Sequence, residues 1–345
     1  MSEEQRSGQP PQPQPQPPGG LVTALAALAA RAPGAAPAEP PGEPVVLAGH
    51  PERVVVRNGG AVAKAHAAGT DPAALELRLR VAADPALRGI LLPPLGAPVI
   101  RPLPGGGRPA TLWPYGTPVD PVDPDAAPWA EAGRLLARLH AVPVAPLEGR
   151  LGGALPVMRG PARVAEAMAR LRACAPGGPR PAAARKAVED AWAGLPGWCR
   201  AEPGTGAAPP SGSGGPPALC HGDFHLGQLL RHPPEHGPWR LIDVDDLGTG
   251  EPAWDLARPA AGFAAGFLPP EDWRRLLDAY QEESGTAGRD PWPALDPPAR
   301  AVTVQLAALS LVRAGEPGGG ALDEDDESLI DACVRISRLV SGGSI

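Results

Sequence analysis

The chain is poor in aromatic residues, with 3 Phe, 2 Tyr and 8 Trp among 345 residues. A platform that stacks successive bases on rings needs more of them, so a single-stranded nucleic-acid binder is excluded. Lysine is scarcer still: Lys64 and Lys186 are the only two, and Asn58 is the single asparagine. Chemistry that requires an amine or an asparagine therefore has very few places to go. Basic charge is not in excess either. Lys and Arg number 31 against 38 Asp and Glu, a net charge of −7, and no basic stripe stands ready to neutralise phosphates, which argues against a nucleic-acid partner. Four cysteines, Cys174, Cys199, Cys220 and Cys333, are widely spaced, with no CxxC pair and no His at zinc-ligand spacing. They read as thiols of a reducing cytoplasm. Glu3, Glu4 and a Gln/Pro alternation occupy the place where a secretory signal needs a positive flank and an apolar run. The apolar stretch 21–30 is about half a membrane span. The expectation is a cytoplasmic protein with no membrane partner.

Glycine and proline are abundant, at 44 and 50 residues, and much of that share must lie in loops and tails. The hydrophobic fraction of 43% is nevertheless globular, and the length suits one large or two ordinary domains. Residues 1–43 read as a Pro/Gln-rich tail and linker, interrupted by a short Ala/Leu helix at 21–31. From residue 44 the pattern turns to β. Runs at 45–47, 53–57 and 61–66 are separated by turn residues, and Asn58-Gly59 between two of them is a hairpin signal. A helix over 72–83 follows, with Leu75, Leu79 and Ala82 at i, i+4 and i+7. Short apolar segments at 89–92, 98–103 and 110–113 complete a small sheet, with a Gly turn at 105–107. After the hinge-like stretch 113–118 the character becomes helical, with helices predicted at 128–142, 161–174, 182–192, 270–283, 298–314 and 323–340. Two β-like runs, 228–231 and 239–244, interrupt them, and 202–217 reads as a flexible low-complexity insertion. The division expected is an N-lobe at 44–112, a hinge at 113–118 and a helical C-lobe at 119–345.

Polar and acidic residues beside glycines are costly in a core and useful in a site. They concentrate in His221-Gly222-Asp223-Phe224-His225-Leu226-Gly227-Gln228 and in Leu241-Ile242-Asp243-Val244-Asp245-Asp246. Phosphoryl transfer must orient a hydroxyl, hold Mg²⁺ against phosphates and offset their charge. Asp223 suits the first task, and Gln228 and Asp243 offer hard oxygen ligands for the second. A catalytic-loop Asp followed five residues later by a metal-binding amide, with a second metal-binding Asp on another strand, is the kinase pattern.

These two segments, extended through Gly250-Glu251-Pro252-Ala253-Trp254-Asp255, resemble the aminoglycoside phosphotransferase family, the small-molecule branch of the protein-kinase-like fold. The His225-Leu226-Gly227-Gln228 wording, with Gln where the family usually has Asn, is similar to the maltokinase branch. The resemblance implies a two-lobe α+β protein-kinase-like fold with a small antiparallel N-lobe and a mostly helical C-lobe. It implies an enzyme that uses ATP and Mg²⁺ to phosphorylate a hydroxyl of an amino sugar, sugar or related metabolite. It also implies the roles of particular residues. Lys64, near the end of the third strand, would contact the α/β-phosphates and pair with Glu76. Trp113 and Tyr115 would flank the adenine. Asp223 would be the catalytic Asp, with Gln228 and Asp243 holding the metal. His221 and His225 read as structural braces, Asp245 as a better candidate than Asp246 for a further contact, and Asp255 as a loop anchor. The alternatives are a maltokinase-like sugar 1-kinase and a nucleotide-binding scaffold without turnover, the latter suggested by Gly49 being the only glycine between the first two strands.

Overall fold

β-Branched and Ala-rich runs broken by turn residues build the first lobe. The computed structural model describes residues 19–33, 43–50, 53–97, 100–103, 108–175, 179–205, 217–316 and 320–342. Helix α1 (Gly19–Ala30) precedes strands β1 (Val45–His50), β2 (Arg53–Asn58) and β3 (Ala61–Ala65), helix α2 (Pro72–Ala83), and strands β4 (Arg101–Pro102) and β5 (Pro109–Pro114). The strands form one antiparallel sheet in the order β1-β2-β3-β5-β4. The Asn58-Gly59 hairpin forms as the sequence predicts, with Gly59 at φ 60°. Val54, Val56, Ala61, Ala63 and Ala65 pack with Leu25 and Ala29 of α1. Residues 19–30 therefore belong to the packed lobe rather than to a tail. Side chains alternate along a strand, so the residue between Ala63 and Ala65 faces the other way. That residue is Lys64.

Helix α2 starts where Asp71 accepts the N–H of Ala73 at 2.9 Å and Pro72 stands in the first turn. The segment 89–92 does not join the sheet, as its apolar character suggested. Leu92 N–H donates to Leu241 O, and Leu241 N–H donates to Ile90 O, both at 2.9 Å. This crossing stitches the first lobe to the second.

The second lobe comprises β6 (Thr117–Pro118), α3 (Trp129–His140), α4 (Val144–Leu151), α5 (Gly160–Ala173), α6 (Pro179–Ala193), β7 (Ala218–Cys220), β8 (Leu229–Arg231), β9 (Trp239–Leu241), β10 (Gly248–Gly250), α7 (Ala253–Ala265), α8 (Pro270–Ser284), α9 (Trp292–Gly315) and α10 (Glu324–Gly342). Small ladders β6-β8-β9 and β7-β10 frame the loops that carry the polar motifs. One core runs from Leu75 and Leu79 of α2 through Trp113, Leu135 and Leu136 to Leu229 and Leu241, and so crosses between the lobes. A second core gathers α5, α6, α7, α9 and α10 around Met168, Val188, Ala257, Val304 and Cys333. Burying each large aliphatic side chain in them contributes roughly 1.5–3 kcal/mol. Helix α9 begins six residues before the predicted start at Pro298 and continues through Pro297-Pro298. Leu295 and Pro298 are buried there, which offsets the donors that the prolines lack. The expectations for 1–18, 34–42, 51–52, 98–99, 105–107 and 206–216 lie outside the described residues. Among the described residues no helix is long and apolar enough to cross a membrane.

Candidate active site

Lys64 is buried on β3, and its amine reaches across to the second lobe. Nζ donates to Asp243 Oδ1 at 2.6 Å and to Asp245 Oδ2 at 2.8 Å. Burial alone would lower the pKa of this amine, but the Asp243 and Asp245 carboxylates outweigh it and the pKa is raised. Arg53 of β2 approaches Asp243 Oδ2 at 3.3 Å. Burial and the neighbouring Asp245 would raise the Asp243 pKa, yet Lys64 and Arg53 hold it below the ordinary value. The Asp243 backbone is left-handed at φ 64°, a conformation that non-glycine residues keep only where the surroundings hold it.

A hydrogen-bond chain fixes the wall behind Lys64. Trp113 Nε1–H donates to Thr111 Oγ1 at 2.8 Å, and Thr111 Oγ1 lies 2.9 Å from His66 Nε2. With the hydroxyl donating to Nε2, His66 carries its proton on Nδ1 and donates to Asp245 Oδ2 at 3.2 Å. The remaining oxygen, Asp245 Oδ1, is buried and lies 3.1 Å from the same His66 Nδ1, outside hydrogen-bond geometry.

The loop after β7 carries Asp223. Gly222 before it sits at φ 86°, and a Cβ there would lie 2.3 Å from Asp246 O, so only glycine fits. Asp255 of α7 accepts the backbone N–H groups of His221 and Gly222, each at 2.7 Å. His140 Nε2 joins the same carboxylate at 2.9 Å, and its Nδ1 lies 3.0 Å from the Tyr280 hydroxyl. Burial would raise the Asp255 pKa, but the hydrogen bond from His140 leads the effects that lower it. Asp255 thus anchors the loop, as the sequence reading held. Among the described residues His140, Cys220 and Asp255 also bring potential metal-ligand atoms within 4.8 Å of one another, but the His and Asp atoms are engaged in this hydrogen-bonded anchor. The two loop histidines brace the backbone. His221 Nε2 donates to Ile242 O at 2.7 Å, and His225 Nδ1 accepts the N–H of Gly227 at 3.1 Å. Burial, with Arg258 next, lowers the His225 pKa to about 4, so its ring is neutral at neutral pH.

Asp223 Oδ2 accepts from Arg163 Nη2 at 2.8 Å, and Arg258 Nη2 stands 3.6 Å from Oδ1. Burial opposes ionisation, but these two guanidinium groups outweigh it and the pKa is lowered. Gln228 ends a short turn, and its carbonyl accepts the N–H of Ile242 at 2.9 Å, which sets it beside the backbone that leads into Asp243. The Gln228 side chain is buried.

The expected contact between Glu76 and Lys64 is not made. Glu76 is exposed on α2, and no contact joins it to Lys64. The inward stripe of α2 is Leu75, Arg78, Leu79 and Ala82; Glu76 lies one position off it, about 100° around the helix. Arg78 takes the cleft side instead, donating from Nε to Leu247 O at 2.7 Å. Trp113 points into the core that joins the lobes. Tyr115 stacks beneath Arg57, with the guanidinium carbon 3.5 Å from the ring centre. Its N–H is given to Gly60 O, and its carbonyl accepts from His232 Nδ1. Neither aromatic residue lines the large cavity between the lobes. Arginines 53, 78, 163 and 258 are the functional candidates that the motif reading passed over. Their signal was only the preference for Arg over Lys throughout the chain.

A model of the phosphotransferase enzyme family matches residues 46–297. The chain belongs to that family. Solved structures similar to this phosphotransferase include a choline/ethanolamine kinase family protein from Mesorhizobium loti, with 17% identity over 92% of this chain and 94% of that one and a TM-score of 0.53. A thermostable mutant of aminoglycoside phosphotransferase APH(4)-Ia shares 14% identity over 88% and 96%, with a TM-score of 0.57. Spectinomycin phosphotransferase APH(9)-Ia shares 12% over 87% and 94%, at 0.54. These likenesses establish the protein-kinase-like two-lobe fold. No curated protein sequence matches the phosphotransferase.

Proposed function

We propose that this phosphotransferase moves the γ-phosphoryl group of ATP, held with Mg²⁺, onto a hydroxyl of a small molecule. The observation that carries the reading is the 2.6 Å contact between Lys64 on the first lobe and Asp243 on the second. With two lysines in the chain, one of them joins the sheet to the acidic loop across the cleft. Nucleotide use is supported by the similar structures: APH(9)-Ia was crystallised with ADP and spectinomycin, and an APH(4)-Ia mutant with AMP-PNP and hygromycin B.

The residues fit a divalent cation. Asp243 and Gln228 offer hard oxygen donors, and Asp245 Oδ1 beside them has only the 3.1 Å contact with His66 Nδ1. Asp246 has a raised pKa: burial comes first, and Asp223, Asp243 and Asp245 add to it, opposed by Arg163. Bound there, Mg²⁺ would neutralise phosphate charge and align the transferred group. Gln228 and Asp243 would hold it, with Asp245 adjacent.

Asp223 stays ionised at neutral pH and accepts the proton of the acceptor hydroxyl. Lys64 exchanges its carboxylate partners for phosphate oxygens. Little covalent work falls to the protein, because alignment and preorganised charge supply most of the rate. A coupled ATP-consumption screen over hydroxylated metabolites, aminoglycosides and maltose tests this. Mg²⁺-dependent turnover with one acceptor supports it, and maltose as that acceptor selects the sugar 1-kinase. Thermal stabilisation by ATP without consumption across the panel favours the scaffold instead.

A further inference from the structure

Beyond Asp223 the cleft widens into a cavity of ≈ 1020 Å³ between the first lobe and helices α5, α7 and α9. One stripe of the α5 segment forms its outer wall: Arg159, Arg163, Glu166 and Arg170 recur at i, i+4, i+7 and i+11. Arg258 of α7 and Gln305 of α9 face the same space.

The acids of this wall are already taken. Asp246 accepts from Arg159 Nε at 3.0 Å and lies 3.4 Å from Arg163 Nε. Glu166 pairs with Arg159 at 2.6 Å, Asp245 with Lys64, and Asp71 caps α2. The donors are in surplus. Arg163 Nε is buried without a hydrogen bond. Arg258 comes no nearer to Asp223 than 3.6 Å. Gln305 is only 7% exposed and lines the cavity. Burial, with Arg163 and Arg53 adding to it, holds the Arg258 pKa below its ordinary value despite Asp223. Buried donors without acceptors are costly, and guanidinium forks match the two oxygens of a carboxylate or phosphate.

We propose that the hydroxyl acceptor carries an anionic group, a carboxylate or a phosphate monoester, that docks on Arg163 and Arg258 with Gln305 and Arg170 beside it. The proposal rests on the phosphotransfer reading and narrows it. Docking there sets the anion next to Asp223, where the hydroxyl must also lie. A polyamine sugar would press its ammonium groups against arginines and meet no carboxylate free of a cation.

Matched acceptors test this in a coupled ATP-consumption assay: glucose, glucosamine, gluconate and glucose 6-phosphate, and glycerol, glycerate and glycerol 3-phosphate. Thermal stabilisation of the protein loaded with Mg²⁺ and AMP-PNP is read in parallel. The expected result is turnover or stabilisation by acids of either set at least about tenfold better than by their neutral or aminated analogues. The carboxylate and phosphate arms tell the two anions apart. Arg170→Glu at the exposed end of the stripe should raise KM for the acid by about 10- to 100-fold without raising it for the neutral analogue. An equal response to neutral or aminated members overturns the proposal, as does silence toward every acid. An equal rise in KM for the acid and for its neutral analogue in Arg170→Glu also overturns it. Nucleotide binding separates the two levels. If AMP-PNP stabilises the protein while the acids do nothing, the acceptor inference alone fails; if AMP-PNP does nothing, the phosphotransfer reading fails and takes the acceptor inference with it.

Discussion

Asp255 Oδ1 accepts the backbone N–H of Gly222 at 2.7 Å, one residue before Asp223. The same carboxylate takes the N–H of His221 and meets His140, so an ionised side chain with no solvent exposure holds the loop at two points and ties it to α3. Asp255→Ala would leave two buried backbone donors and one ring nitrogen unsatisfied. The expected loss is about 3–5 kcal/mol of stability, together with a fall in kcat as Asp223 loses its position. Chemical denaturation reads the first and a turnover assay the second. A loss below about 1 kcal/mol would show that water satisfies those donors and that the anchor is dispensable.

Asp243 combines a functional carboxylate with a left-handed backbone at φ 64°. Asn accepts that conformation, whereas Ala is strained there by about 1–2 kcal/mol. Asp243→Asn should therefore fold and lose Mg²⁺-dependent nucleotide binding, while Asp243→Ala loses binding and is less stable than the Asn variant. Titration calorimetry with and without Mg²⁺, alongside thermal melts, separates the two effects. Undiminished metal-dependent binding in Asp243→Asn would falsify its assignment as a ligand.

Much of this arrangement was legible in the chain. The Asn58-Gly59 turn and the Val runs announced the hairpin, and the scarcity of lysine singled out Lys64. The spacing from Asp223 to Gln228 and on to Asp243 named the loop residues. Less legible were features that depend on which face a helix presents. Glu76 was chosen by type and neighbourhood, but the apolar stripe of α2 turns it outward and brings Arg78 inward. Helix α7 carries Pro259 and Gly262, which mask its period, so only the resemblance drew notice to Asp255. The arginine wall was invisible because, although spacing puts 159, 163, 166 and 170 on one face, only the packing of α5 beside α7 and α9 turns that face to the cavity, and Arg258 and Gln305 arrive from distant sequence. The cover that Arg57 of β2 gives the Tyr115 ring across the intervening strand β3 is likewise a tertiary contact with no local signal.

Gly222 allows a second backbone test. Its φ of 86° is left-handed, and an added Cβ would meet Asp246 O at 2.3 Å, a backbone atom that cannot swing aside. Gly222→Ala should cost about 2 kcal/mol or more and displace Asp223 or Asp246. Gly149→Ala is the matched control, because a Cβ there meets nothing within 4 Å. Equal melting temperatures for the two variants would contradict the account of the turn.

Arg163 holds Asp223 at 2.8 Å and keeps its pKa below the ordinary carboxylate value. The sign of the consequence follows from linkage. A carboxylate whose pKa is lowered by folding adds stability above its unfolded pKa, and that stability is lost as pH falls through the folded value. The pair therefore contributes fully at neutral pH and is lost only in acid. For activity, the ionised base is available down to that lowered pKa, so an acid limb from Asp223 should appear only below the ordinary carboxylate range. Arg163→Gln removes the nearer cation and leaves burial to act, so the acid limb of kcat/KM should move to higher pH. Asp223→Asn should lower kcat by about 10²- to 10⁴-fold at every pH, with nucleotide binding retained. The measurement is a kcat/KM profile from pH 4 to 9 for the wild type and both variants. An acid limb that does not move in Arg163→Gln would mean that another group sets it, and turnover near the wild-type rate in Asp223→Asn would remove Asp223 from the chemistry.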